Sequence, residues 1–252
     1  MRLRILGSAG AELPDFRPPA FLIDEHLLLD AGTIGSVLTE EDQLKLRNIF
    51  ITHSHLDHIR GIPALADNII IRNLDRTVNI FSTQPVISAL RDHLFNGVIW
   101  PDFTRIPTPE HPVLCFNMIV PGQGNDVAGY SITAVEVHHT VPAVGYIVAK
   151  DGVSLAYTGD TGPTDIFWRH VSGADALIVE VSFPDNMEEL ALLTQHLTCS
   201  LLRRELKKIG TLPRRVLITH PKPQYYDTIK REIENLGMPE IELLHDGAVF
   251  DL

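Results

Sequence analysis

The sequence of 252 residues predicts an α/β protein in which two β-sheets lie between helices, an αββα sandwich. Short runs rich in β-branched and aromatic residues recur along the whole chain. Helical patterns, with apolar residues three and four positions apart, are interleaved with these runs. Polar side chains that can bind metals follow several of the predicted strands. These side chains predict a functional site at one edge of the sheets.

The predicted strands begin with two apolar runs, 21–23 and 27–29, which read as a hairpin ending at the turn Asp30-Ala31-Gly32. A third run, 48–51, leads directly into a group of histidines. The later predicted strands are 78–81, 113–118, 131–137, 144–149, 153–157, 176–181, 216–219 and 241–244.

Helical periodicity predicts helices over 85–95, 198–209 and 226–236. Segment 100–112 is dense in proline and is predicted to be an ordered surface loop. There is no internal repeat, low-complexity tract or long linker, and 44% of the residues are hydrophobic. We therefore expect a single domain over residues 1–252 with a sizeable core.

Apolar run lengths and the cysteine count predict the cellular location of the protein. No stretch approaches ~18 consecutive apolar residues, and the first residues show no signal-peptide pattern. The only two cysteines, Cys115 and Cys199, form neither a disulfide framework nor a paired metal motif. We expect a cytoplasmic protein without a membrane span.

The net charge of −11 makes binding of long nucleic acids unfavourable, because phosphates are neutralised by Lys and Arg. The main basic cluster falls on the predicted helix 198–209, where a solvated helix face is the favoured interpretation. It consists of Arg203, Arg204, Lys207 and Lys208. The sequence favours a small partner molecule.

The stretch THSHLDHIRG, residues 52–61, holds three histidines and an aspartate within six residues. In an extended loop alternate side chains point the same way, so His53 and His55 can reach one ion. Asp57 and His58 can then face a second ion. Imidazole and carboxylate ligands suit zinc, and manganese or iron are alternatives. A solvated polar turn is the less favoured interpretation.

Neither ion would have enough ligands within this stretch. Further candidates follow predicted strands: His138 or His139 after 131–137, Asp160 after 153–157, and His220 after 216–219. Each alone is common in a turn or at a solvated strand end. Their repetition at strand ends predicts a shared site.

The order of these motifs resembles the metallo-β-lactamase superfamily. Four later motifs resemble the class II 3′,5′-cyclic-nucleotide phosphodiesterases of that superfamily: GDTGP at 159–163, EVSFP at 180–184, QHLT at 195–198 and ITHPKP at 218–223. Two other stretches, HTVPAVGY at 139–146 and GIPAL at 61–65, are closer to its tRNA 3′-processing endonucleases. The proline- and glycine-rich clamping arm typical of those endonucleases is not evident.

The resemblance implies an αββα fold of the metallo-β-lactamase type with a binuclear metal site at the sheet edge. It implies two divalent ions, with zinc as the first choice and manganese or iron as alternatives. One ion would be held by His53, His55 and His139, and the other by Asp57, His58 and His220, with Asp160 bridging both. Choosing His139 over His138 depends on the spacing from the histidine to Gly145-Tyr146.

Further roles follow from the resemblance and from chemistry. His196, just before the helix cap Thr198, would protonate the leaving alkoxide, and Glu180 would keep its imidazole protonated. Asp57 would also orient the attacking hydroxide. Asp30 is equally interpreted as a carboxylate behind a ligating imidazole or as a turn residue.

Several other polar residues receive the plainer interpretation. Thr161 and Lys222 could contact substrate, but solvation is the expected default for both. The remaining histidines have no motif context and are assigned to the surface or to packing: His26, His93, His111, His170 and His245.

The predicted function is therefore hydrolysis of a small phosphodiester, a 3′,5′-cyclic nucleotide such as cyclic AMP, to the 5′-monophosphate by a metal-bridged hydroxide. One alternative is a tRNA 3′-processing endonuclease. Another is a non-hydrolytic di-iron redox or sensing protein, which His55 argues against because redox relatives typically carry glutamate there. A homodimer is compatible with the sequence.

Overall fold

Sixteen strands form the framework of the protein in the computed structural model, which describes residues 1–72 and 75–252. In chain order they are β1 (Arg2–Gly7), β2 (Ala20–Ile23), β3 (Leu27–Leu29), β4 (Asn48–Phe50), β5 (Val78–Ser82), β6 (Pro107–Thr108), β7 (His111–Pro112), β8 (Leu114–Met118), β9 (Gly124–Val127), β10 (Tyr130–Glu136), β11 (Val144–Lys150), β12 (Val153–Tyr157), β13 (Ala176–Glu180), β14 (Arg215–Thr219), β15 (Ile241–Leu243) and β16 (Val249–Asp251).

Two seven-stranded sheets contain all of these strands except β6 and β7, which form a small hairpin. The first sheet has the spatial order β16-β1-β2-β3-β4-β5-β8, and its last four strands are parallel. The second has the order β15-β14-β13-β12-β11-β10-β9, and β12 to β15 are parallel. Parallel neighbours end at the same edge of a sheet, so each sheet gathers several carboxyl ends at one edge.

Helices cover the outer faces of the two sheets. They are α1 (Glu40–Gln43), α2 (Leu56–Ile59), α3 (Gly61–Ile71), α4 (Gln84–Ala89), α5 (Glu188–Leu193), α6 (Cys199–Leu206) and α7 (Tyr226–Asn235). A π-helical turn, Leu90–Leu94, continues α4, and short 3₁₀ turns occur at Phe167–His170, Asp185–Met187 and Pro223–Tyr225. Thr198 caps α6 as expected, since its hydroxyl accepts from the Leu201 amide at 3.2 Å.

Three buried apolar layers hold the sandwich together. The middle layer lies between the sheets and includes Phe50, Tyr146 and Tyr157. One outer layer packs α3 against the first sheet, and the other packs α6 and α7 against the second. The predicted αββα sandwich is confirmed, with the order helices, sheet, sheet, helices.

All eleven predicted strands are present, and none of their ends differs by more than one residue. The sequence prediction missed β1, where charged and apolar residues alternate, and the short edge strands β9 and β16, which have no apolar run of their own. The predicted helix 85–95 is α-helical only to Ala89 and then π-helical, and the loop 100–112 contains the β6–β7 hairpin. Within the described ranges, no helix is long and apolar enough to cross a membrane. Cys115 and Cys199 are both free.

The aromatic contacts of Phe50 generate a stability prediction. Phe50 is fully buried, stacks on Phe81 with ring centroids 4.6 Å apart, and meets Tyr146 edge-on at 5.4 Å. Phe50→Ala should lower the free energy of unfolding by about 3–5 kcal/mol, because it leaves a cavity between the sheets. Urea denaturation measures this loss.

The matched control is Val98→Ala, since Val98 is 85% exposed. This substitution should change the free energy of unfolding by no more than about 0.5 kcal/mol. Equal losses in the two variants would contradict the assignment of Phe50 to the central layer.

Candidate metal centre

The carboxyl ends of five strands converge where the two sheets meet. In the first sheet, Asp30 follows β3 and His53 comes three residues after β4. In the second, His139 follows β10, Asp160 follows β12 and His220 follows β14. β10 runs in the same direction as β12 because both are antiparallel to β11. Both sheets therefore supply metal-capable side chains to one place.

The first cluster of donor atoms contains His53, His55, His139 and Asp160, whose ligand atoms all lie within 4.8 Å of one another. His55 Nδ1 is 3.0 Å from His53 Nε2 and 3.2 Å from His139 Nε2. Asp160 Oδ2 is 3.7 Å from His53 Nε2. Three imidazole nitrogens and one carboxylate oxygen form a donor set that could hold one divalent ion.

The second cluster contains Asp57, His58 and His220. His220 Nε2 lies 3.4 Å from Asp57 Oδ2, and His58 Nε2 lies 3.9 Å from the same oxygen. Asp160 Oδ2 is 3.4 Å from His58 Nε2 and 3.3 Å from His220 Nε2. One oxygen of Asp160 thus lies close to both clusters and could bridge two ions.

An orphaned atom tests whether these residues fit metal ions. His58 Nε2 is fully buried and has no hydrogen-bond partner, although its other ring nitrogen has one. A buried polar nitrogen without a partner carries a desolvation cost that coordination would remove. The donor chemistry and this orphaned nitrogen both fit a divalent ion in the second cluster.

The grouping of His53 with His55 and of Asp57 with His58 agrees with the sequence prediction, but the backbone differs. His55 caps α2, and Asp57 and His58 lie in its first turn rather than in an extended loop. The His58 amide donates to the His55 carbonyl at 3.0 Å, which closes this turn. The helical turn separates the pairs, so each faces a different cluster.

Asp30 lies behind the second cluster and is fully buried. Its Oδ2 contacts His58 Nδ1 at 2.7 Å and accepts from the Tyr157 hydroxyl at 2.7 Å, while its Oδ1 accepts from the Thr52 amide at 2.8 Å. Burial alone would lower the pKa of His58, but the carboxylates of Asp160 and Asp30 outweigh it and raise that pKa well above its usual value. Of the two interpretations of Asp30, contact with a candidate ligand is what the structure shows, although its φ of 54° also makes it a turn residue.

Two close backbone approaches depend on glycine. His220 has a φ of 66°, and a Cβ atom on Gly10 would lie 2.5 Å from the His220 carbonyl oxygen. Gly159, directly before Asp160, has a φ of 63°, and a Cβ atom there would lie 2.8 Å from Thr52 Cβ. A non-glycine residue such as His220 in this region costs on the order of 1–3 kcal/mol, which tertiary contacts must offset.

His196 and Glu180 form a buried ion pair beside the two clusters. His196 Nδ1 is 2.6 Å from Glu180 Oε1, which also accepts from the Thr161 amide at 3.0 Å. The Leu197 amide donates to Glu180 Oε2 at 3.3 Å. Burial opposes protonation of His196, but the carboxylate of Glu180 outweighs it and raises the pKa of His196. The imidazole therefore holds its proton to higher pH than a free histidine.

The imidazole ring of His196 also lies close to a member of each cluster. Its centroid is 5.1 Å from that of His139 and 5.4 Å from that of His220. Because Nδ1 is committed to Glu180, Nε2 is the ring atom left for proton donation. A ligand atom of His196 also lies within 4.8 Å of those of Asp160 and His220, so a ligand role is geometrically open too.

The sequence prediction missed two residues that fix candidate ligands. The Ser182 hydroxyl donates to Glu180 Oε2 at 2.7 Å and lies 2.8 Å from His220 Nδ1, so it links the second cluster to the His196 pair. The Gln195 carbonyl accepts from His139 Nδ1 at 3.1 Å, from a backbone φ of 54°. Ser182 lies within the EVSFP motif and Gln195 begins the QHLT motif, so both motifs carried a signal, but neither showed which ring each residue contacts.

The expectation of solvation was wrong for Thr161 and Lys222. Thr161 is fully buried, and its hydroxyl donates to the Gly162 carbonyl at 2.8 Å. Lys222 is half-buried, and its Nζ donates to the Gly10 carbonyl at 2.6 Å. Both residues brace loops around the clusters.

The other histidines belong to neither donor cluster. His138, the rejected alternative to His139, is exposed. So are His93, His111, His170 and His245. His26 is half-buried, with Nδ1 2.6 Å from the Asp24 carbonyl. The assignment of His26, His93, His111, His170 and His245 to the surface or to packing agrees with the structure.

Comparison with known proteins places this architecture in a family. The model of the beta-lactamase superfamily domain matches residues 29–220, and the chain belongs to this family. A probable 3′,5′-cyclic-nucleotide phosphodiesterase from Yersinia pestis is 26% identical, over 96% of this chain and 76% of its own length. A ribonuclease Z from Methanosarcina acetivorans is 23% identical, over 91% of this chain and 90% of its own.

The solved structure of unliganded yeast PDE1 is similar to this chain with a TM-score of 0.83, at 20% identity and over 100% of this chain and 99% of its own. At that identity the likeness concerns the fold. The family predicted from the motifs is confirmed, and with it the classification as a metal-dependent hydrolase of this superfamily.

The shared position of Asp160 generates a prediction about metal content. Asp160→Ala should reduce occupancy in both clusters, whereas His220→Ala should mainly reduce it in the second, because only Asp160 Oδ2 lies near both. Elemental analysis of metal-saturated protein, with equilibrium titration of zinc, measures this. Two ions per chain are expected in the unaltered protein.

The exposed His170 gives the matched control, since His170→Ala removes an imidazole that belongs to neither donor cluster. It should retain full metal content. An Asp160 variant that binds two ions with unchanged affinity would show that this carboxylate bridges nothing.

Proposed function

We propose that this protein hydrolyses a small phosphodiester, a 3′,5′-cyclic nucleotide such as cyclic AMP, to the 5′-monophosphate. The observation that carries the proposal is the buried His196–Glu180 pair lying beside two donor clusters that share Asp160. Metal binding alone does not need a second, buried imidazole–carboxylate pair. Phosphodiester hydrolysis does, because an alkoxide must leave. The Yersinia pestis relative and the likeness to yeast PDE1 support the substrate class.

The proposal gives each clustered residue a role. Two divalent ions, zinc by donor preference with manganese or iron as alternatives, would supply an activated water and neutralise charge on the phosphate when bound. The ligands would be His53, His55 and His139 for one ion, Asp57, His58 and His220 for the other, and Asp160 for both.

Three residues would orient ligating imidazole rings by contacting the Nδ1 atom of each ring. Asp30 contacts His58, Ser182 contacts His220, and the Gln195 carbonyl contacts His139.

Proton transfer is assigned to residues of the chain. Asp57, half-buried at the edge of the second cluster, would accept a hydrogen bond from the attacking water and orient it. The water would lose one proton to solvent, and its oxygen bonds to phosphorus as the bond from phosphorus to the ribose 3′ oxygen breaks. His196 gives its proton to that leaving oxygen, and Glu180 stabilises the imidazolium beforehand. The product is a 5′-monophosphate with a free 3′ hydroxyl.

A tRNA 3′-processing endonuclease is the second candidate, because relatives named ribonuclease Z match most of the chain. The distribution of basic residues argues against it. Arg204 on α6 is paired with Glu188, and Lys208, two residues after the end of α6, is paired with Asp165 and Glu205. These pairs and a net charge of −11 leave little positive charge for long RNA. The non-hydrolytic di-iron redox or sensing protein has less support than either hydrolase, since such a protein does not need His196 as a proton donor.

A substrate panel tests the proposed function. Cyclic AMP, cyclic GMP, bis-p-nitrophenyl phosphate and precursor tRNA should be assayed on one preparation of measured metal content. We expect turnover of the cyclic nucleotides and of the small diester, and little endonucleolytic cleavage of tRNA, since RNA needs many phosphate contacts. Efficient tRNA cleavage without turnover of cyclic nucleotides would assign the protein to the second candidate.

A leaving-group comparison tests the role of His196. His196→Ala should lower turnover of cyclic AMP by about 10²–10⁴, the usual contribution of positioned proton transfer. The loss should be smaller for bis-p-nitrophenyl phosphate, because p-nitrophenoxide leaves without a proton. Glu180→Gln should show the same dependence more weakly. Steady-state kinetics with both substrates measures the two effects.

Metal analysis of the same variants separates chemistry from metal binding. His196→Ala should keep the metal content of the unaltered protein, and His170→Ala should keep both its metal and its activity. Metal loss in His196→Ala, or an equal slowing of both substrates, would make His196 a ligand or a substrate-positioning residue instead.

A further inference from the structure

A cleft of about 600 Å³ lies directly beside the first donor cluster. Its walls are three short segments: 83–85 after β5, 119–121 after β8, and 136–144 from the end of β10 into β11. β5 and β8 are parallel to β4, so their carboxyl ends lie at the edge that carries His53. His139 belongs to both the cluster and the cleft. The cleft therefore opens beside the metal centre.

The surface of this cleft is mainly apolar and rigid. Pro85, Pro121 and Pro142 line it together with Ile119 and Val141. The proline ring fixes the backbone φ angle, so these walls lose little conformational freedom when they contact a ligand. The volume falls within the range of about 300–1,000 Å³ that is usual for small-molecule sites. Shape and surface both suit a compact organic group.

Charge distinguishes between possible occupants. Glu136 is the one formally acidic residue among the described residues that line the cleft, and none of them is lysine or arginine. A nucleic-acid strand carries one phosphate per nucleotide and needs cations along its path. Glu136 would instead repel those phosphates. The lining favours an uncharged occupant over an RNA backbone.

Polar groups in the cleft can still make hydrogen bonds. Thr83 precedes α4 at its cap position, yet its hydroxyl makes no capping hydrogen bond. Thr140 and His138 are exposed at the opposite wall. Hydroxyl and imidazole groups on an apolar surface match a nucleoside, whose base is planar and whose edges carry donors and acceptors.

We propose that this cleft binds the nucleoside of the substrate while its phosphate lies at the metal centre. The proposal rests on the proposed function, since the donor clusters define where the phosphate sits. It adds that recognition of the nucleoside comes from the residues of segments 83–85, 119–121 and 136–144 other than the candidate ligand His139. Discrimination between diesters is then a property of these walls.

Filling the cleft tests the proposal. Val141 is half-buried on one wall and Val120 is 54% exposed on another, so both should tolerate a larger side chain. Val141→Trp and Val120→Trp should each weaken binding of 5′-AMP to the metal-loaded protein by about tenfold or more, because the indole occupies the nucleoside position. Binding of inorganic phosphate, which has no nucleoside, should change by less than about twofold. Isothermal titration calorimetry measures both affinities.

The matched control is Met238→Trp, which lines a different surface groove between α7 and β15. It should leave both affinities unchanged. If the two valine variants bind 5′-AMP as tightly as the unaltered protein does, the cleft proposal is overturned while the metal centre stands. If the unaltered, metal-loaded protein binds neither phosphate nor 5′-AMP, the proposed function itself fails.

Discussion

The rest of this structure depends on the need of its buried carboxylates for partners of opposite charge. Asp30 and Glu180 are fully buried and Asp160 is 3% exposed, and an unpaired carboxylate in such a place would cost several kcal/mol. Each one faces an imidazole: Asp30 faces His58, Glu180 faces His196, and Asp160 faces three rings. Burial works against ionisation of Asp160, yet His220 and His58 outweigh it and hold the pKa of Asp160 well below its usual value. The strands that carry these residues must therefore end at positions that bring each carboxylate to its imidazole.

The same pairing explains how polar groups are tolerated between two apolar layers. Tyr157 lies in the central layer against Phe21, and its hydroxyl reaches Asp30. Ser182 extends the chain of contacts from Glu180 to His220. Each hydrogen bond leaves one fewer lone pair unsatisfied in a region without access to water. The core and the site are therefore one continuous arrangement, in which packing residues also orient candidate ligands.

Much of this arrangement could be predicted from the sequence, because short stretches of consecutive residues determine it. Buried strands read as apolar runs, and the spacing of the histidines predicts the grouping of His53 with His55 and of Asp57 with His58, although a helical turn rather than an extended loop separates the two pairs. The edge strand β9, with the sequence Gly-Asn-Asp-Val, has no such pattern, because its pairing partner rather than its own residues makes it a strand. Ser182 meets His220 across 38 residues of chain, a contact that only tertiary folding creates. The charge of the cleft beside His139 could not be predicted from the sequence either, since folding brings together the three separate segments that form it.

The candidate ligands come from both sheets: His53, His55, Asp57 and His58 from the first, and His139, Asp160 and His220 from the second. Ions held by them would tie the two halves of the sandwich together and would bind only when both are in place. Such linkage makes folding stability a function of free metal concentration, rising by about 2.7 kcal/mol when the ion is at 100 times its dissociation constant. The free energy of unfolding would then depend on the metal concentration around the protein. A low metal concentration would lower both the stability of the fold and the catalytic activity.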